Sequence, residues 1–213
     1  MTLTRSLKWT TGVLLALVVL IVMLVDWNGL REPIARRISS ATGRSVAVNG
    51  DLSVHLSWRP RIVANNVVFG NAAWSPDPAM VEIKRLEFTI DPLKLLIGRV
   101  EFPEVALFEP QVLLEVSQDG VPNWVFDEQD KNKSVDFPTI GVLTIDHGSV
   151  TYRDRNNHTE LALDIKTLED GKDDPELRLE VTGKGRFKGL PTTLHARGGG
   201  LLSLRSADNP YPI

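Results

Sequence analysis

The sequence contains no cysteine. Disulfide staples, thiolate nucleophiles and cysteine-type zinc sites are therefore excluded. It has four histidines, His55, His147, His158 and His195, far apart and in no HxxxH or HxxEH arrangement. It has no basic excess either: 24 basic residues stand against 27 acidic ones, for a net charge of −3. A nucleic-acid binder concentrates cations on one face, whereas here Lys and Arg are interspersed with acids. No G-x-S-x-G occurs, and no Ser, His and Asp gather in sequence as a hydrolase would need. The reading is a non-enzymatic chain with no cofactor, no metal and no nucleic-acid partner.

Charge is also missing from Thr10 to Val25, TTGVLLALVVLIVMLV. Trp9 and Trp27 bracket this run, as aromatic belts do at the two interfaces of a membrane. From Trp9 through Trp27 a helix would be about 28 Å long, close to a hydrocarbon core of roughly 30 Å. The run ends in Asp26-Trp27-Asn28-Gly29, with no small-x-small cleavage pattern. It therefore reads as an uncleaved anchor rather than a signal peptide. Arg5 and Lys8 before it and Arg31, Arg36 and Arg37 after it nearly balance the positive-inside rule. A short tail inside and the bulk outside is the usual outcome for a span so near the start.

Leu30, Ile34 and Ile38 then recur every four residues, with Pro33 near the start and Gly43 as a stop. They predict a short amphipathic helix that caps the end of a sheet. From Ser45 the period becomes two. Val46 and Val48 alternate before Asn49-Gly50, a strong hairpin signal. Leu52, Val54, Leu56 and Trp58 alternate with Ser53, His55 and Ser57. Leu86, Phe88 and Ile90 form a second apolar set, out of phase with Ile83, which predicts a bulge near Lys84 and Arg85. Asp91-Pro92 opens a helical turn that Gly98 ends. Two strands follow, 100–107 and 111–116, broken by Pro103 and Pro110. Strands resume at Gly141, beyond a polar stretch.

The predicted fold is mainly β: an N-terminal transmembrane helix and a short amphipathic helix, then a curved, meandering antiparallel sheet. The boundaries read as a tail at 1–8, an anchor at 9–27, the amphipathic helix at 28–43, a first β segment at 44–126, a flexible linker at 127–138 and a second β segment at 139–213. Gly183, Gly185 and Gly189 lack the GK[ST] ending and the following helix of a phosphate loop, so they read as strand and turn glycines. Asp154, Asn156, His158 and Glu160 lack the Gly and Glu of a calcium loop and read as a hairpin tip. The alternating apolar face has two readings, an ordinary covered core or a groove for an apolar ligand. Periodicity alone does not separate them. In the second reading Leu52, Val54, Leu56, Trp58, Leu86, Phe88 and Ile90 line the groove.

Several stretches resemble the AsmA family of inner-membrane proteins of Gram-negative bacteria. They are REPIARRISSATGRSVAVNGDLSVHLSWRPRIVANNVVFGN, the DPLKLL turn, Asn123-Trp124 after Asp119-Gly120, IGVLTIDHGSVTYRD and LLSLRSADNPYPI. The resemblance implies a place in the bridge-like lipid transfer group, whose sheets form a taco-like hydrophobic groove. It implies a single-pass protein of the cell inner membrane with its bulk in the periplasm. Its partners would be membrane phospholipids and the inner membrane, with other envelope proteins as further candidates. The implied role is phospholipid transport between inner and outer membranes and outer-membrane assembly, with the helix from Leu30 to Ala41 at the membrane-proximal mouth. The alternative is a non-transporting interaction module that scaffolds outer-membrane protein assembly. Family members are commonly longer, so the expectation is a chain incomplete at its C-terminus.

Overall fold

A computed structural model describes residues 26–126, 139–168 and 179–199. A 3-10 turn, Trp27–Leu30, leads into α1, Arg31–Thr42. Asp26 opens the turn by accepting the Asn28 N–H, and Gly43 closes α1 at φ 67°, its N–H donated to Ser39. Ten strands follow: β1 (Val46–Val48), β2 (Leu52–His55), β3 (Arg61–Gly70), β4 (Ala79–Thr89), β5 (Glu101–Val116), β6 (Thr139–Asp146), β7 (Gly148–Asp154), β8 (Thr159–Thr167), β9 (Leu179–Phe187) and β10 (Leu190–Gly198). A five-residue helix, α2 (Pro92–Leu96), joins β4 to β5, with Asp91 accepting the N–H groups of Leu93 and Lys94.

All ten strands share one open sheet, in the order β1-β3-β4-β5-β7-β8-β9-β10, with β2 on β3 and β6 on β5. The sheet is mixed, not purely antiparallel as expected. β5 pairs in parallel with both β6 and β7, because the chain returns after Val116 to the start of β5 before forming β6. β6 and β7 run end to end along one side of β5. β1 and β2 do the same along β3, so Asn49-Gly50 is not a hairpin turn. It is a step in an edge strand, where a Cβ on Gly50 would lie 2.7 Å from the Asn65 Cβ.

β5 is a single strand of 16 residues rather than two. Its prolines sit where the ladder is already irregular, Pro103 opposite Gly141 and Pro110 after Glu109 at φ 48°. The expected bulge near Lys84 and Arg85 is also corrected. The register of β4 runs unbroken through these residues on both sides. Instead Asn66 (φ 51°), Glu109 (φ 48°) and His147 (φ 52°) are left-handed. By the register of their neighbours these three and Lys84 lie in one row across four strand lines. A bulge shifts one strand against another; a shared row of this kind changes the facing of all of them and leaves the register intact.

The stripe Leu30, Ile34 and Ile38 is exposed, and only Ala35 of α1 is buried. α1 lies along the outer edge of β1, where Ser39 Oγ accepts the Val46 N–H at 2.9 Å, and so protects that edge. No helix among the described residues is long and apolar enough to cross a membrane. Apart from Asp26 and Trp27, the anchor expected at 9–27 lies outside the described residues, as does the linker at 127–138.

The largest fully buried side chain among the described residues is polar: Asn123. Its Nδ2 donates to Leu113 O at 2.8 Å and Asn71 Oδ1 at 2.9 Å, and its Oδ1 accepts the Glu115 N–H at 3.1 Å. Asn71 and Ser75 both donate to the buried Glu115 carboxylate. This cluster clamps the loop after β3, the end of β5 and the returning chain together.

Two stability measurements follow from these positions, each by urea unfolding of the detergent-solubilised chain read by tryptophan fluorescence. Asn66→Val should cost about 1–2 kcal/mol, because a β-branched residue resists φ above zero. Asn66→Gly should stay within about 0.5 kcal/mol of wild type. Asn123→Ala should cost about 3 kcal/mol, since it strands several buried partners at once.

Candidate functional site

Cross-strand partners share a face of a sheet, so the pairings define two faces. One row on the first face reads Val46, Phe69, Val81, Val112, Val150, Leu163, Gly183 and Leu194, and crosses the whole sheet. Alongside it Tyr152 and Leu161 follow Leu114. Val67 pairs with Ile83, and Ile165 with Val181. The next row on the other face begins with Ala47 and Val68 and continues as Glu82, Gln111, Ser149, Asp164, Thr182 and His195. One face is thus apolar and the other mostly polar from β4 onwards.

Beyond the left-handed row the apolar set is Val54, Ile62, Phe88, Val105 and Leu143, with Leu52, Ala64, Leu86, Leu107 and Ile145 beside it. Phe102 packs edge-on against Phe88 at 5.1 Å between ring centres. The two apolar regions are the same face. A Cβ on Gly148 would meet Ile145 at 2.7 Å from one region and Pro110 at 3.1 Å from the other. Seven strand spacings of about 4.8 Å make this face roughly 34 Å wide, and β5 makes it about 50 Å long.

At one end Phe126 packs edge-on against Phe69 (5.5 Å between ring centres) and Trp124 lies by Tyr152 (6.3 Å); elsewhere the described residues put no second layer on it. They hold one sheet, α1 at an edge and α2 at the strand ends. The side chains of the long apolar row are half-buried or exposed, and none is fully buried. Nine apolar residues are buried among the described ones, three of them alanines, and Leu52, Ala64, Val105 and Ile145 of this face are among them. Of the seven residues expected to line a groove, Leu52, Val54, Leu86 and Phe88 come together on this face. Leu56 and Trp58 lie past the end of β2, exposed in the turn before β3, and Ile90 lies just past β4. Sequence reasoning missed the larger share of the face, from Val46 to Leu194. The alternation was visible there, but only the pairing shows which alternate set joins which.

Gly183 and Gly185 lie in β9 against the backbone and leucines of β8, which leaves no room for side chains. Asp154 to Thr159 form the β7–β8 hairpin tip. There the Asn157 hydrogen bonds hold the Asp154 carboxyl below its ordinary range. The polar face carries a cavity of about 490 Å³ lined by His55, Arg59, Arg61, Arg85, Glu87 and Glu104. Its buried Glu87 is paired with Arg61 and Arg85. At the end of β9, Glu180 sits among Lys166 (2.7 Å), Arg197 (2.9 Å) and His195 (3.3 Å).

Hydrogen bonds from Lys166 first, then Arg197 and His195, pull the Glu180 carboxyl from 4.5 down to about 2. A carboxyl depressed on folding stabilises the fold in full above its unfolded value and loses that effect as pH falls through the folded one. Wild-type stability should therefore decline between pH 4.5 and about 2. Glu180→Gln should flatten that decline, as read from urea midpoints across the window.

The family model described as AsmA family matches residues 3–197. The AsmA family protein YhjG of Escherichia coli (strain K12) is 28% identical over 244 residues, covering 95% of this chain and 35% of that protein. The chain thus spans about a third of the length of this curated relative. No solved structure matches.

Proposed function

The chain belongs to the AsmA family, and from that premise we propose that it is a membrane-anchored periplasmic protein that carries phospholipid acyl chains on its apolar face. The observation that carries this reading is the single continuous apolar face across eight strands, over which the described residues place only Phe126 and Trp124 at one end. Each acyl CH₂ removed from water is worth about 0.8 kcal/mol, so a chain of some 16 carbons gains on the order of 10 kcal/mol before entropic costs. Half of a hydrocarbon core is about 15 Å, so a face about 50 Å long accommodates several acyl chains end to end. The polar back face stays in water. Thr10–Val25 supplies the hold on the inner membrane. The wider role is transport of phospholipid between inner and outer membranes and support of outer-membrane assembly, without catalysis. Over a third of the relative's length, the chain would accept lipid at one end of a longer path or work with a partner.

A second reading rests on the other end of the sheet. β10 is the last strand among the described residues, with Leu190 and Leu194 exposed along it. Such an edge can add a strand from another envelope protein, as a scaffold for outer-membrane protein assembly would.

Native mass spectrometry of the full chain in mild detergent, with lipid extraction alongside, separates the two. Bound phospholipid at fixed stoichiometry is expected for wild type. In the folded double variant Val54→Asp, Phe88→Asp, lipid occupancy should drop at least tenfold. Unchanged occupancy in that variant would remove these residues from the groove. A folded, lipid-free wild type would favour the scaffold.

A further inference from the structure

The end of the sheet at the start of β3 carries a cluster of large exposed apolar residues. Trp58 in the turn before β3 is 92% exposed, and Leu93, Leu96 and Ile97 on and after α2 are 69%, 82% and 70% exposed. The two loops belong to one surface, since Ile90 N–H donates to Pro60 O at 3.1 Å and Arg61 pairs with Thr89. Exposed large apolar residues in such a cluster mark an interaction site.

Charge and chain direction identify the partner. The segments LSWRPR and PLKLLIGRV hold Arg59, Arg61, Lys94 and Arg99 and no acid. Arg61 is paired with Glu87 and Lys94 with Glu101, while Arg59 and Arg99 have no ion pair among the described residues. A protruding tryptophan, leucines and unpaired arginines together suit the interface of an anionic bilayer.

The N-terminal contacts step towards this end. Ser39 bonds Val46, opposite Phe69; Arg31 bonds Gly50, beside Asn65; Asn28 bonds Leu52, opposite Ala64. Followed backwards, the chain moves along β3 towards Arg61 and the Trp58 turn. Asp26 therefore enters the fold from this side, and the uncharged run Thr10–Val25 precedes it directly.

We propose that the Trp58 turn and the Leu93–Ile97 segment form a foot that docks onto the anionic phospholipid surface of the membrane holding the N-terminal run. This rests on the anchor reading of Thr10–Val25. The foot brings Phe88 and Phe102, at that end of the apolar face, to the lipid headgroups.

The absence of native cysteine allows a direct test. Leu96→Cys, Leu190→Cys and Leu17→Cys are each labelled with an environment-sensitive fluorophore in the full chain. They are reconstituted into vesicles of phosphatidylethanolamine and phosphatidylglycerol containing lipids spin-labelled near the headgroup, to read positions 96 and 190, or deep in the acyl chain, to read position 17. Leu190 begins β10, next to the β9–β10 turn at the opposite end of the sheet. The expected result is at least threefold stronger quenching at position 96 than at 190. Arg59→Glu with Arg99→Glu should cut the quenching at position 96 by at least half, and Leu93→Cys should repeat the result. Quenching at 17 but not at 96, or equal quenching at 96 and 190, overturns the foot and leaves the anchor standing. Absence of lipid contact at 17 overturns the anchor reading and the foot with it. Full quenching at 96 in the double arginine variant overturns the choice of an anionic surface.

Discussion

Side chains along a strand alternate between two faces, and that alternation governs this molecule. A strand of 16 residues can keep one face apolar only if its apolar residues hold one phase throughout. Here they do not: in β5 Leu107 and Pro110 stand three apart, as do Ile83 and Leu86 in β4 and Ala64 and Val67 in β3. The left-handed residues Asn66, Glu109 and His147 reconcile the two phases. Because they share a row, the facing changes in neighbouring strands together and no register is lost. Without that row, half of the apolar residues would turn to the polar side.

The same row explains which parts of the fold were legible. Within each strand the period of two was plain, and so were the caps at Asp91, Gly43 and Gly98. Phase breaks were visible too, but a single strand cannot show whether its break is a local bulge or part of a shared row. That depends on neighbours far away in sequence, such as Glu109 beside Lys84. Asn49-Gly50 misled for a related reason. A hairpin turn and a step in an edge strand both require a small residue, and only the presence of β3 alongside distinguishes them. Pro103 and Pro110 read as breaks because a regular ladder excludes them, yet both occupy positions where the ladder is already irregular.

The candidate site divides in the same way. Leu52, Val54, Leu86 and Phe88 were recoverable from alternation because each pair lies within one regular strand, β2 or β4, on the two sides of β3. Trp58 and Leu56 continue that alternation in sequence, but β2 ends at His55 and releases them into a turn. The period of the sequence outlasts the strand, so the pattern by itself assigns them to the face when they belong to its rim. Asn123 illustrates the converse. Nothing periodic marks it, but the geometry makes it the centre of a polar clamp.

Among the described residues little lies over one face of the sheet, and its half-buried valines and leucines contribute only part of their transfer free energy. Stability must then come from the ladder, from cross-strand pairs, and from polar clusters such as Asn123 with Glu115 and Glu180 with its three cations. Those clusters lie at the ends and on the back of the sheet, away from the centre of the apolar face. The arrangement separates the work of holding the fold from the surface left open.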